Sequence, residues 1–423
     1  MDPAHRRHNA PDRSGHAGDG EATLSGPSQS RLLVALMLAM AAPPLTSYAA
    51  AALSPTLVAD LRITAAQFGM FASVSFLSAA TFSLLASCAI HRISQATQVA
   101  VIFLGATLSF AGLALARDLS WVLVAAVVAG PAHALSNPFT NRVIADRIMA
   151  DVRTRWMGVK QSGVQCSQAL AGLTLPALAT AIGWRSSFGM LALLLVASLL
   201  WVRMLFRTLG AAKCAPSKAP VEAASLGTIS APPRGVVWAF AAYALFSGTG
   251  LQATNVYLPL FARDSLHLSA LASGATVAVA GGVGLTARVL WGRTSNLGSR
   301  SGSLLLWLAL AAAVGVLCLA VAAWTGWAAL LWIGVVLHGA TAIGSNVIVM
   351  VGVLHRVPAT QAAVASATVG LGMYLGFALG PLLLGSLLSL VGGFALGWCL
   401  MAVTYLCSGA AAARLRPSPD HGG

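Results

Sequence analysis

The segment that decides the fold is Leu119–Asp146, LSWVLVAAVVAGPAHALSNPFTNRVIAD. It begins as a membrane-type helix, apolar from Trp121 to Pro131, and then sets His133, Asn137 and Asn141 four residues apart. Positions i, i+4 and i+8 follow one helical face, so the three polar groups predict a ladder about 12 Å long. Some 205 residues later WAALLWIGVVLHGATAIGSNVIV (327–349) repeats the pattern, with Trp327 opening the helix and His338 and Asn346 keeping the spacing of eight. An unpaired polar group in hydrocarbon costs several kcal/mol. Two such ladders in register predict a polar path between two related halves.

Composition places the whole chain in the same setting. Of 423 residues, 57% are hydrophobic and 9% charged, and the mean hydropathy is +0.80. These values belong to a multi-span membrane protein. The formal net charge of +14 is broken into short pieces between apolar runs, which excludes a nucleic-acid-binding face. The six cysteines are scattered and show neither metal-ligand spacing nor a disulfide framework.

Twelve apolar runs are long enough to span a bilayer: 32–54, 67–90, 97–116, 119–142, 157–182, 184–206, 235–261, 268–291, 302–323, 327–353, 361–388 and 391–413. With the N-terminus on the cytoplasmic side, 21 of the 25 Lys and Arg residues fall inside. Only Arg62, Arg117, Arg185 and Arg263 fall outside. That bias predicts an inner-membrane protein with both termini cytoplasmic. The expected organisation is a disordered tail (1–30), a six-helix bundle (31–206), a Pro- and Ala-rich cytoplasmic linker (207–234), a second six-helix bundle (235–413) and a short tail (414–423). The bundles repeat: His133/His338, Asn141/Asn346, Gly69/Gly274 and Pro176/Pro381 each differ by 205, Pro55/Pro259 and Asp60/Asp264 by 204, and Trp121/Trp327 by 206.

Three local features then carry a resemblance over roughly residues 31–413. SPTLVADLRITAAQFG (54–69) stands between helices 1 and 2. Ser87-Cys-Ala-Ile-His91-Arg92-Ile-Ser94-Gln95, echoed by Gly292-Arg-Thr-Ser-Asn296, takes the place of a Gly-x-x-x-Asp-Arg-x-Gly-Arg-Arg gate motif. RTRWMGVKQSG (153–163) leads into helix 5 and on to GWR (183–185). On these residues the chain resembles the major facilitator superfamily. The resemblance implies an all-α membrane protein of twelve transmembrane helices in two pseudo-symmetric six-helix bundles, working by alternating access. Two departures speak against proton antiport and drug efflux. Ala125 and Ala126 precede Gly130 where antiporters carry an Arg, and the helix 5 antiporter motif is reduced to AGLTLPAL (171–178).

Every Asp and Glu falls in a tail, in the linker or at a helix end. His133 and His338 are therefore the mid-membrane candidates for proton or substrate work. The helices that line the path in the family add Asn137, Asn141, Asn346, Tyr48 on helix 1, and Gln252, Asn255 and Tyr257 on helix 7. His91, Arg92, Asp146, Arg288, Asn296 and Lys160 are assigned to the inner gate. For Lys160 the plainer alternative is snorkelling to lipid headgroups, and Asp146 is expected to pair with Arg92 or a neighbouring Arg.

No nucleophile–base pair, phosphate loop or metal cluster is legible, so neither an enzyme nor a cofactor is expected. The expected function is transport of a small organic anion or a polar neutral metabolite, because a cavity without carboxylates disfavours cations. The alternative is proton-driven multidrug or metabolite efflux. The expected partners are a small-molecule substrate, a co-transported ion or proton, and membrane lipid, with the chain acting as a monomer.

Overall fold

The computed structural model describes residues 26–87, 93–209, 234–292, 298–358 and 361–415. The expected linker lies almost wholly outside these residues, as do His91, Arg92 and Asn296. The elements are helical throughout: α1 (Gly26–Ala52), α2 (Ser54–Leu61), α3 (Ala65–Ser87), α4 (Gln95–Ala114), α5 (Leu119–Arg147), α6 (Ala150–Ile182), α7 (Trp184–Thr208), α8 (Arg234–Asp264), α9 (Ala270–Gly292), α10 (Ser301–Thr325), α11 (Ala328–His338), α12 (Ser345–Arg356), α13 (Ala362–Val391) and α14 (Phe394–Ala413). A π-helical turn, Gly339–Ile343, joins α11 to α12 in one span. The first helix begins at Gly26, ahead of the expected start.

Eleven of these spans are long and apolar enough to cross a bilayer by composition alone. The twelfth is α6, a 33-residue helix that carries Arg153, Arg155, Lys160, Gln161, Gln165 and Gln168. It is the least apolar span, and half of this polar set faces inward. Lys160, Gln165 and Gln168 are all buried, whereas Leu170 and Leu173 are 58% and 63% exposed. Large apolar side chains such as Leu193, Leu200 and Trp307 cover the outside of the molecule, a surface suited to lipid rather than water.

Packing follows the sequence repeat. In the N-terminal half α1 packs on α6, α3 on α5, and α4 on α7. In the C-terminal half α8 packs on α13, α9 on the π-turn, and α10 on α14. The halves meet through α6 against α9 and α3 against α13, two contacts that exchange under the same pseudo-twofold relation. Glycines allow the closest approaches. A Cβ on Gly376 or Gly380 of α13 would lie 2.2 Å from the Leu245 carbonyl or 2.1 Å from that of Thr249 on α8. The Gly372–Gly376–Gly380 stripe is thus a contact within the C-terminal half.

Proline shapes the helices that carry polar residues. Pro131 has no N–H, so the Val127 carbonyl loses its helical donor. The Ser78 hydroxyl of α3 supplies one instead at 2.9 Å. At the end of the molecule away from the termini, Asp118 caps α5 by accepting from the Ser120 and Trp121 amides. The Ser120 hydroxyl, together with these amides, holds its carboxyl below the usual carboxylate range. Beside it, Asp60 accepts from Trp184 Nε1 at 2.6 Å and pairs with Arg185 at 4.0 Å.

Candidate substrate site

The polar residues of α5 do not stand alone as a ladder; they receive a lysine. Lys160 of α6 is 2% exposed and donates to Asn137 Oδ1 at 2.8 Å, Thr140 Oγ1 at 2.7 Å and Asn141 Oδ1 at 2.5 Å. An ammonium has three donors and no acceptor, so all three are used and both amides must turn their oxygens toward it. Each amide then has its NH₂ end on the side away from the ammonium. Asn137 remains half-buried and Asn141 exposed. Lys160 therefore points into the bundle and does not snorkel. A buried ammonium held by neutral oxygens alone is solvated but not neutralised.

A second cation stands across the interface. Arg288 of α9 donates from Nε to the Ile343 carbonyl in the π-turn at 3.2 Å. It lies near enough to Tyr48 of α1 for an electrostatic interaction. Its side chain therefore reaches inward from the gate position toward mid-depth. π-Turns expose carbonyls outside the regular ladder and recur at functional positions. The depth of Arg288 follows from helix register. A Cβ on Gly274 would meet Pro176 at 2.2 Å, and one on Gly281 would meet the Ala169 amide at 2.7 Å. The helices α6 and α9 thus run antiparallel, and the same register carried further toward the termini brings the backbone of Arg288 opposite Ser162, near that of Lys160. Among the described residues the ion pairs are Arg142–Asp146 and Arg185–Asp60, and neither involves these two cations.

At mid-depth lies a second polar group. Asn255 Oδ1 of α8 faces His338 Nε2 at 3.0 Å and Gln168 Nε2 of α6 at 3.1 Å. With that oxygen as acceptor, His338 carries a proton on Nε2. His133 packs its ring on Phe76, centroids 4.9 Å apart, and its carbonyl accepts from the Tyr374 hydroxyl of α13 at 3.2 Å. Several buried polar atoms here have no protein partner: His133 Nε2, Gln165 Oε1, Gln168 Oε1, Gln252 Nε2, Asn255 Nδ2 and His338 Nδ1. Buried polar atoms are normally satisfied, and the open atoms on Gln168, Asn255 and His338, with a separate one on His133, are suited to receive water or a solute.

The remaining candidates lie elsewhere. Tyr257 is fully buried, and its hydroxyl sits 3.0 Å from the Ala65 carbonyl and 3.2 Å from that of Pro381. It links the two halves at the end away from the termini and is not part of the polar cluster. Asn346 is half-buried one turn past the π-turn, whose wider winding changes the phase between His338 and Asn346. The second ladder is therefore not a straight copy of the first. Asp146 accepts from Gln95 Nε2 at 3.2 Å and pairs with Arg142 at 3.8 Å. Its expected partner Arg92 is outside the described residues, as are His91 and Asn296. Sequence reasoning missed Gln165, Gln168, Tyr374 and Phe76. For the glutamines a signal was present, since Gln161, Gln165 and Gln168 recur at spacings of four and three on one face of α6. A concavity of about 470 Å³ on α9, lined by Val279, Gly282, Val283, Thr286, Ala287, Leu290 and Ala340, is apolar and stands apart from this chemistry.

The comparisons agree with this architecture. Residues 33–381 match the model of the Major Facilitator Superfamily. No curated protein sequence matches the chain. Among solved structures, a bacterial homologue of the human lysosomal transporter Spinster superposes with a TM-score of 0.71 in its inward-facing, unoccupied conformation. It is 15% identical, and the match covers 93% of this chain and 100% of that one. Its inward-facing, occupied form gives 0.66 at 16% identity, with 93% and 100% covered. The human organic anion transporter MFSD10 (TETRAN) gives 0.62 at 16% identity, with 92% and 100% covered. At these identities the likeness is one of fold. With its twelve spans, its two interlocking halves and a family match over most of its length, the chain belongs to the major facilitator superfamily of membrane transporters.

Proposed function

We propose that the protein moves a small organic anion across the inner membrane by alternating access, with both termini cytoplasmic and the chain acting as a monomer. The observation that carries this reading is the pair Lys160 and Arg288. One cation comes from each half, and among the described residues no carboxylate pairs with either. Arg288 is oriented by the bond from its Nε to the Ile343 carbonyl, and a planar guanidinium suits a carboxylate or phosphate. Lys160 contributes its charge through the amides of Asn137 and Asn141. The unpartnered groups of His133, Gln252, Asn255 and His338 would receive the polar body of the substrate. The contacts of Tyr257 with Ala65 and Pro381 would serve as a latch on the outer side.

The test is thermal stabilisation of the purified protein against carboxylates, phosphate esters, amino acids, sugars and lipophilic cations. A ligand of the folded state raises apparent stability by mass action. Organic anions should stabilise the wild type and fail to stabilise Arg288→Gln. Stabilisation by lipophilic cations or sugars alone would refute the reading.

A further inference from the structure

The polar group at mid-depth is organised by one shared atom. Asn255 Oδ1 of α8 lies 3.0 Å from His338 Nε2 and 3.1 Å from Gln168 Nε2. The three residues are 3%, 1% and 1% exposed. Gln168 belongs to the N-terminal half, and Asn255 and His338 belong to the C-terminal half. A hydrogen bond between two side-chain amides uses one N–H group and one carbonyl, and so leaves one of each. Here the atoms left are Asn255 Nδ2, a donor, and Gln168 Oε1, an acceptor. Both are buried without a partner among the described residues. Turning both amides over together exchanges the two roles and still leaves one donor and one acceptor.

That combination selects among functional groups. A carboxylate only accepts, an ammonium only donates, and an alkyl group does neither, so each leaves at least one of the two buried atoms unsatisfied. A hydroxyl donates and accepts through a single oxygen and serves both. We infer that the paired amides of Gln168 and Asn255 form a subsite for a hydroxyl group of the transported solute. His338 steadies the subsite by holding Asn255 Oδ1 from within the same half. A hydroxyl bound there ties α6 to α8 across the two halves. The subsite itself does not depend on the charge of the solute. Joined to the anion reading above, on which this last step rests, it makes the substrate a hydroxy acid.

The experiment measures thermal stabilisation of the purified full chain by compounds paired so that they differ in one hydroxyl. The pairs are lactate and propionate, malate and succinate, and mandelate and phenylacetate, with glycerol and propanediol as the neutral pair. A site built to hydrogen-bond a hydroxyl rejects the analogue that lacks it, so at least one hydroxylated member should bind about ten-fold or more tightly than its partner. Asn255→Leu removes the open donor and Gln168→Leu the open acceptor. Each should reduce that ratio to about two-fold or less. Either variant reports alone if the other does not fold, as judged by monodisperse elution in detergent. A subsite that holds water alone predicts equal binding within every pair, and that result would overturn the inference. So would binding of no hydroxylated compound, or a ratio unchanged in both variants. Selective binding of glycerol with none of the acids bound would uphold the subsite and overturn the anion reading. Binding of the acids with no preference for the hydroxyl would do the reverse.

Discussion

Toward the end away from the termini, the contact between the halves depends on a crossing with no room for a side chain. On α6, a Cβ added to Gly172 would lie 2.3 Å from the Ala278 amide and 2.6 Å from the Gly274 carbonyl of α9. Both obstacles are backbone and cannot swing aside, so Gly172→Ala must push the helices apart where the two halves touch. Overpacking of this kind costs about 1–3 kcal/mol, a roughly 5- to 150-fold fall in the equilibrium constant for the closed state if the opposite state relieves it. The assay is a reporter disulfide at the same end. A Cβ on Gly385 would stand 3.5 Å from the Ala66 Cβ, at the lower edge of the range of about 3.5–4.5 Å for a disulfide, and also 2.9 Å from the Ala66 Cα and 2.3 Å from the Tyr257 hydroxyl, so the pair without Gly172→Ala sets the reference rate. In a background free of native cysteines, Ala66→Cys with Gly385→Cys should crosslink under mild oxidation and stop transport until reduced. Adding Gly172→Ala should slow the crosslinking in proportion to the lost closed population. Unchanged crosslinking in a well-folded Gly172→Ala protein, or full transport by the crosslinked protein, would refute the assignment of this end as a moving gate.

Other consequences are more local. Lys160→Met should raise the KM for a transported anion. With 2.8 Å to the Asn137 amide oxygen, the amide itself and a further hydrogen bond, the charges stand about 7 Å apart. At an effective dielectric of about 20 their attraction is about 2 kcal/mol, roughly 30-fold in affinity, and an unchanged KM would place the anion elsewhere. Tyr257→Phe removes one hydroxyl from the Ala65 and Pro381 carbonyls. It should weaken the contact between the halves by about 1 kcal/mol, read as faster thiol labelling of a single Ala66→Cys in the cysteine-free background. Gly376→Val drives a side chain into the Leu245 carbonyl and should lower the melting temperature by overpacking α13 on α8, with ligand affinity in the surviving folded protein little changed.

How much of this was legible in the chain differs from helix to helix. The spans, their repeat and the family resemblance follow from apolar length and residue spacing, both of which are local properties. The polarity of α6 was visible too, but the Gln161–Gln165–Gln168 stripe was masked by the basic residues before it. Those basic residues made Lys160 look like a headgroup anchor. Only the packing of α6 against α5 shows that Asn137 and Asn141 are acceptors for Lys160. Tyr257 had the right residue type and neighbours for a binding role, yet its partners Ala65 and Pro381 are 192 and 124 residues away in sequence, beyond any local pattern. The phase shift between His338 and Asn346 arises from a π-turn in Gly339–Ile343, a winding that residue spacing alone does not reveal. Arg288 was placed near the gate by its position on α9, and its reach to the Ile343 carbonyl depends on a long, flexible side chain.

The most direct test of the central claim is uptake by proteoliposomes of the organic anion that best stabilises the purified protein, with wild type set against Arg288→Gln. The account predicts saturable uptake by the wild type, competed by other anions and not by sugars or lipophilic cations, and a fall to background in the variant. Anion uptake by Arg288→Gln at the wild-type rate, or wild-type uptake confined to cations or neutral solutes, would contradict it.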